Sequence, residues 1–412
     1  MKLLTALSFS RALYASLLCL IFVSSMVRPC AAESWQTTLA PQPHLPALFL
    51  AVDKSIQRTF LIRTTATPAL DKEKLLCTTG QRDGDKMREG DLKTPEGVYF
   101  IEKKINSGLD FTQYGNTAFP LNYPNPIDRI RDKTGYGIWI HGRGTPLDPK
   151  LTRGCVALQN PVVDTLDQHI TLHQTPVVIA QQLTWSNATH ETSAEILHKT
   201  WTWITARERG EDRLFSLYDP QYMAKSTGKS FAHVTEAVRA EYMASSWTDI
   251  RTSPIRILEG PGYMVSFFSQ TTNTATTSTQ GWRRLYWLQR DKQWKIAGEE
   301  WIAPRSVPHE DYVRTVEQEI QALVHENAFF VNATGQKTMR TPGADASHNS
   351  SEAVPYGQGS DAVRQPVGPQ VQVVLTAQGV EARISSVNAT EQTHVFLPGK
   401  FDSWTLQPGT QQ

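Results

Sequence analysis

Residues 137–158 read "GIWIHGRGTPLDPKLTRGCVAL". A short apolar run ends on His141, a polar segment with two prolines follows, and Gly154–Cys155 opens a second apolar run. In an extended chain, Ile138 and Ile140 fall on one face, and Trp139 and His141 on the other. A strand, a loop and a returning strand would bring Cys155 back beside His141. The thiolate, not the thiol, is the nucleophile. An imidazole in reach can take the proton and hold an imidazolium–thiolate pair, which lowers the thiol pKa. Gly142 has no side chain, so its carbonyl can approach the ring and fix its tautomer. Gly154 leaves the main chain free near the thiol, where amides 153–155 could form an oxyanion hole. The same spacing also fits a buried cysteine after a turn and a histidine satisfied at a strand end. Spacing alone leaves both readings open.

The chain around this stretch has 412 residues, enough for two or three domains. Hydrophobic residues make up 40% and charged residues 20%, the balance of a chain that folds and buries a core. The formal net charge is +1, so no basic excess points to nucleic acid. Residues 1–32 hold Lys2, Arg11, the apolar run "ALYASLLCLIFV" and "CAA" before Glu33. That pattern reads as a cleaved signal peptide, too short in its apolar part for a span that needs ~20 residues. The expectation is export to the periplasm or cell envelope, with no stable membrane span afterwards. Cleavage would leave Cys77 and Cys155 as the remaining cysteines. A disulfide between them stays open. No CxxC or HExxH spacing occurs, so neither metal nor cofactor is expected.

Residues 33–46 are Pro-rich and read as a linker. From 47 to 183 the pattern is mostly β: "LFLAV" and "RTFLIR" flank a polar turn, and "TPVVIA" closes the run. After "GCVAL", Asn160 would cap a helix with Pro161 in its first turn. Residues 193–305 start with helical spacing at Leu197, Trp201 and Ile204. Long alternating strands follow, folded at "RDKQ". This order predicts an α+β cone with a curved antiparallel sheet. Residues 306–330 read as a helix, 331–370 as a disordered linker, and 371–412 as a strand-rich tail of unknown role.

The stretch "HGRG…TRGCVAL" resembles the signature of the L,D-transpeptidase catalytic-domain family. "GQRDGDKMREGDLKTPEGVYFI", "AFPLNYPNPIDR" and "GYGIWIHG" extend the resemblance across residues 47–180. It implies a β-sandwich-like fold and cysteine acyl transfer on peptidoglycan stem peptides. Cys155 would be the nucleophile, His141 the base and acid, Gly142 the orienting carbonyl, and the backbone at Gly154 an oxyanion donor. The thiolate would attack the carbonyl of the L-centre of meso-diaminopimelate, and D-alanine would leave. Arg143, Arg153, Arg129, Trp139 and Tyr123 are candidate substrate-binding residues, because the stem carries carboxylates that guanidinium forks suit. Many cross-linking members place Arg or Asn two residues after the cysteine, where this chain has Ala157. That departure raises hydrolysis: the first reading is an L,D-transpeptidase-type enzyme in cell-wall remodelling, and the alternative an L,D-carboxypeptidase that trims tetrapeptides to tripeptides with water as acceptor, with an effect on cell shape. Residues 193–305 resemble the nuclear-transport-factor-two-like superfamily. Such cones host binding pockets and dimer faces, so Tyr263, Trp282, Trp287 and Trp301 would line a pocket or fill the core. A cell-wall binding protein with a structural Cys155 remains the reading from another class.

Overall fold

The computed structural model describes residues 34–65, 69–188, 193–325, 329–331, 337–339, 370–377, 379–386, 389–398 and 404–406. The signal-peptide expectation, and most of the expected linker at 331–370, lie outside the described residues. No helix among the described residues is long and apolar enough to cross a membrane.

Ten strands build the first half: β1 (Gln36–Leu39), β2 (Leu48–Asp53), β3 (Arg58–Thr64), β4 (Leu70–Leu76), β5 (Gly97–Phe100), β6 (Ala118–Pro120), β7 (Trp139–His141), β8 (Val156–Ala157), β9 (Pro176–Ala180) and β10 (Gln182–Trp185). Three helices interrupt them: α1 (Phe111–Tyr114), α2 (Pro126–Ile130) and α3 (Asn160–Asp167). The main sheet runs β4-β3-β2-β9-β5, with β2 and β9 parallel and the other pairs antiparallel. A small sheet, β6-β7-β8, lies against it. The expected linker at 33–46 is a correction. β1 pairs in parallel with β10, Gln36 opposite Gln182, so this segment belongs to the fold. Its Thr37 and Leu39 are half-buried and Ala40 is buried, which gives the strand a face to pack.

Period-2 alternation decides what β2 touches. Leu50 and Val52 join one core with Ile140, Val156, Leu158, Val163 and Leu166. Phe49 and Ala51 point the other way, into a second core with Val265, Phe267, Tyr286 and Ala297. The main sheet is therefore covered on both faces, which is why its strands read as unbroken apolar runs. One cover is the small sheet with α3. The other belongs to the second half of the chain.

That half opens with α4 (Ala194–Glu208), a 3-10 turn at Asp212–Leu217, α5 (Pro220–Thr227) and α6 (Phe231–Met243). Strands β11 (Asp249–Thr252), β12 (Arg256–Gly260), β13 (Tyr263–Asn273), β14 (Ser278–Arg290) and β15 (Gln293–Ser306) follow. All pair antiparallel in the order β11-β13-β14-β15, with β12 also on β13. The β14–β15 turn falls on "RDKQ" as the sequence suggests, with Asp291 and Lys292 at φ 50° and 62°. Two positive φ values match the right-handed twist of the flanking strands. α7 (His309–His325) comes next, and strands at 370–376, 379–386 and 389–398 form part of a further sheet.

The two halves share polar contacts as well as a core. The Arg284 guanidinium, 1% exposed, reaches Glu102 at 2.7 Å and Glu300 at 3.2 Å and donates to the His173 carbonyl at 2.9 Å. Asn122 donates to the Tyr286 hydroxyl at 3.1 Å, and the Val98 amide donates to the Tyr263 hydroxyl at 2.7 Å. The segment 193–305, expected as an α+β cone, thus also forms a second layer on the first sheet.

Candidate active site

Strands β7 and β8 run parallel, with Ile140 opposite Val156 and His141 opposite Ala157. Paired residues share a face, and faces alternate along each strand. Ile140 and Val156 turn into the core. Trp139, His141 and Ala157 take the opposite face, and Cys155, one residue before Val156, joins them. Extending the register by one residue brings the cysteine back to the histidine's side of the sheet.

His141 is buried, and its Nδ1 lies 2.7 Å from the Gly142 carbonyl oxygen. A carbonyl only accepts, so Nδ1 carries the proton and Nε2 is left with its lone pair. The main chain pins this residue on both sides. The Leu158 amide donates to the His141 carbonyl at 2.9 Å, and the Gly142 amide donates to the Thr117 carbonyl at 3.0 Å. Tyr114 completes the setting, edge-on to His141 at 5.2 Å between centroids and tilted against Trp139 at 5.4 Å.

Cys155 is half-buried, and its thiol faces the Gly137 carbonyl at 3.4 Å. Gly154 has φ +137°, and a Cβ there would sit 2.8 Å from the Lys93 carbonyl oxygen, so the turn requires glycine. Thr152 knots the turn: its hydroxyl donates to the Cys155 carbonyl at 2.7 Å and accepts from the Gly154 amide at 3.1 Å. The Gly154 amide is thereby engaged. An oxyanion hole would have to draw on its neighbours.

Burial works against the expected imidazolium–thiolate pair. No hydrogen bond joins the two side chains among the described residues. Burial pushes the Cys155 thiol up to about 11, against weaker opposing pulls from the Trp139 main chain and the Lys86 charge. Burial likewise lowers His141 to about 4; the Gly142 hydrogen bond opposes this and the Arg143 charge adds to it. Both groups are neutral at pH 7. Charge separation in a partly desolvated pocket costs more than it returns without a direct contact. The two cysteines are free, so a Cys77–Cys155 disulfide is excluded. Cys77 is buried, its thiol raised to about 12 by desolvation.

The remaining candidates separate. Trp139 is half-buried on the His141 face. Arg153 is exposed beside the cysteine, and Arg143 is half-buried with Nε donating to Thr145 at 2.7 Å. Arg129 is turned to another use: its guanidinium donates to the carbonyls of Ser226 at 2.6 Å and Pro124 at 2.8 Å, tying α2 to α5. Tyr123 is a core residue, 5% exposed, packed on Tyr99 with its hydroxyl on the Thr134 carbonyl at 3.1 Å. Its apolar ring outweighs its polar tip. Ala157 is fully buried between His141 and a bridge to Thr78, so a long polar side chain would lack water there. Asn160 is not the helix cap; Gln159 holds that position, and the Asn160 side chain packs inward instead. Tyr114, Thr152 and Lys86 escaped the sequence reading. Tyr114 lies in a different segment and carries no spacing signal. Lys86 is buried, held by Asp91 at 2.9 Å and the Arg88 carbonyl at 3.0 Å, inside the "GDKMREGD" loop.

In the second half, Trp287 and Tyr263 are core residues, and Trp301 lines a cavity of about 780 Å³. Arg207 and Arg283 reach its wall. Arg283 is paired with Glu299 and stacked over Trp301 at 4.4 Å, while Glu299 also accepts from Tyr218 at 2.6 Å.

Residues 48–179 match the family described as YkuD, L,D-transpeptidase catalytic domain. The chain is 31% identical over 102 residues to "Putative L,D-transpeptidase YafK" of Escherichia coli (strain K12), a stretch covering 25% of this chain. It spans 37% of the length of that curated relative. Among solved structures, Pgp2 of Campylobacter jejuni, titled a helical cell shape determining protein, is 27% identical with a TM-score of 0.49, covering 62% of this chain and 91% of that one. Bd1075 of Bdellovibrio bacteriovorus is 23% identical with a TM-score of 0.49, covering 63% and 93%. The segment that carries the His141–Cys155 pair, residues 48–179, thus matches the L,D-transpeptidase catalytic-domain family.

Proposed function

We propose that this protein is an exported cysteine acyl-transfer enzyme that cleaves the meso-diaminopimelate–D-alanine bond of peptidoglycan tetrapeptide stems. The observation that supports this reading is His141 with Nδ1 on the Gly142 carbonyl oxygen, on the same face of the small sheet as Cys155 and within the matched segment. Because both groups start neutral, the thiol is activated on attack and not beforehand. Nε2 takes the Cys155 proton as sulfur adds to the carbonyl carbon. The imidazolium that forms keeps its Nδ1 proton on the Gly142 oxygen. It then passes the new proton to the D-alanine nitrogen as the C–N bond breaks, leaving a thioester on Cys155. Water or an amine resolves the thioester. The exposed Arg153 and half-buried Arg143 are the guanidinium groups available to the stem's carboxylates. Gly154 serves by shaping the turn, and the amides on either side of it are the oxyanion donors proposed here.

The acceptor divides two outcomes. A buried Ala157 in place of a polar residue supports hydrolysis, which trims tetrapeptides to tripeptides. Amine transfer would yield cross-linked dimers. Mass spectrometry of purified tetrapeptide muropeptides incubated with the protein separates them: tripeptide plus D-alanine marks hydrolysis, and dimers mark transfer. An unchanged profile would defeat the enzyme reading and favour a wall-binding role. The cone-like second half, proposed to be nuclear-transport-factor-two-like, supplies the 780 Å³ cavity with Arg207, Arg283 and Trp301 on its wall. Arg207 and Arg283 are held by Glu241 and Glu299, and the lining also carries Glu211 and Asp212, so this cavity suits a polar wall fragment that packs on Trp301. Co-sedimentation of a Trp301→Ala variant with cell-wall sacculi tests that docking role.

A further inference from the structure

The Asn160 side-chain oxygen is buried and has no hydrogen-bond partner. Buried polar atoms are nearly always paired, so the exception calls for a reason. The oxygen is wedged between two glycines. A Cβ added at Gly115 or at Gly142 would collide with it, and a Cβ at Gly115 would also come within 2.7 Å of the Gly142 carbonyl carbon. Asn160 Oδ1 and the main chain at Gly115 thus press on Gly142 from the same side.

Gly142 is the residue whose carbonyl fixes the His141 tautomer. Its amide is anchored on Thr117, and the preceding carbonyl on Leu158. Those bonds hold the peptide before Gly142 but not the one after it, which carries the orienting oxygen. A glycine peptide without further restraint rotates freely. An oxygen lone pair packed over the Gly142 Cα bars the carbonyl from swinging to that side, because two acceptors repel without a proton between them. The Cα hydrogens of the two glycines are the weak donors left to satisfy Oδ1.

We infer that Asn160 is a positioning residue that acts through Gly142 to keep the His141 proton on Nδ1 and Nε2 free for the Cys155 thiol. The inference deepens the acyl-transfer reading and rests on it for its catalytic meaning, but its structural half is measurable without substrate. Asn160 sits at the start of α3, five residues after Cys155, so the helix that follows the nucleophile also steers the base.

The test uses the full chain with 15N-labelled histidine. Nitrogen chemical shifts of His141, identified by their loss in His141→Gln, report the tautomer. Wild type is expected to show a proton on Nδ1. Asn160→Leu, similar in size and without the oxygen, is expected to shift His141 toward a tautomer mixture. It should also lower kcat for D-alanine release about tenfold or more, with KM changed less than twofold. Asn160→Asp, which keeps an oxygen, is expected to restore the Nδ1 proton. Should Asn160→Leu fail to fold, Asn160→Ser, whose shorter side chain withdraws the oxygen from the glycines, serves instead and is expected to give the same mixture. A wild-type nitrogen spectrum for His141 in the variant lacking the oxygen overturns the inference. A shifted tautomer in a protein whose wild type releases no D-alanine upholds the positioning and removes the peptidoglycan reading alone.

Discussion

The Cys155 thiol lies 3.4 Å from the carbonyl oxygen of Gly137, so in the resting protein its proton is directed to the main chain and not to His141. With the thiol raised to about 11, alkylation should be slow at neutral pH and climb steadily on the alkaline side. Mass-resolved labelling with iodoacetamide from pH 6 to 11 measures this. A plateau already reached near pH 6 would mean a preformed thiolate and would contradict the neutral resting pair.

Stability carries the same signature with defined signs. His141 is depressed from 6.5 to about 4 in the fold. The unfolded chain takes up a proton below 6.5 that the folded chain refuses, so this contribution is full above 6.5 and is lost as pH falls toward 4. Cys155 and Cys77 are raised to about 11 and about 12. Their contribution is present below the usual thiol range and is lost as pH rises through those values. Thermal midpoints of wild type and His141→Gln across pH 4–7 should converge at the acid end.

Replacing Cys155 by Ala should abolish D-alanine release altogether, since no thioester can form. Replacing His141 by Gln should cost ~10²–10⁴-fold in kcat through loss of proton transfer, while the folded content stays high. Single-turnover release from labelled tetrapeptide is the measurement. Activity retained in both variants would place the chemistry elsewhere.

Tyr114 packs on His141 and Trp139 through its ring. Tyr114→Phe should therefore leave kcat/KM near wild type. Tyr114→Ala loses an aromatic contact worth ~0.5–1.5 kcal/mol and lets the imidazole move. A pronounced loss in the Phe variant would instead give the hydroxyl a part in the reaction.

Arg284 is the buried cation between the halves. Arg284→Met would leave Glu102 to His173, and Glu300 to Tyr286 and Asn122, without the cation between them, a loss below the ~3–5 kcal/mol of a fully buried pair broken on one side. Calorimetry should show a lower midpoint for the whole chain as one transition. Two separated transitions would mean that the halves unfold independently.

Much of this site was legible in the residues from 137 to 158. Period-2 alternation placed Trp139 and His141 on one face, and the glycine after the histidine foretold the carbonyl contact. The hairpin at "RDKQ" was equally plain. What stayed hidden depends on chain segments far apart in sequence. Tyr114 meets His141 only because α1 folds over the loop after β7, and nothing in its own segment marks it. Tyr123 and Arg129 looked like cleft residues because they stand near the motif in order, yet tertiary packing turns one into the core and the other toward α5. The opposing pull of desolvation on the His141 and Cys155 charges also stayed hidden, because burial cannot be read from spacing. The strand at Gln36–Leu39 was hidden by Pro41, Pro43 and Pro46 just after it, and its partner β10 lies nearly the whole half away.

The sheet with two coverings sets a rule for how this protein can be cut. Phe49, Val98 and Phe100 lie under side chains from β12 to β15, so removing everything after residue 190 would bare one side of the central strands to water. A fragment ending there would carry a greasy wall and a Glu102 deprived of its guanidinium. Such a piece is expected to clump or to recruit a substitute surface, whatever its motif promises about chemistry.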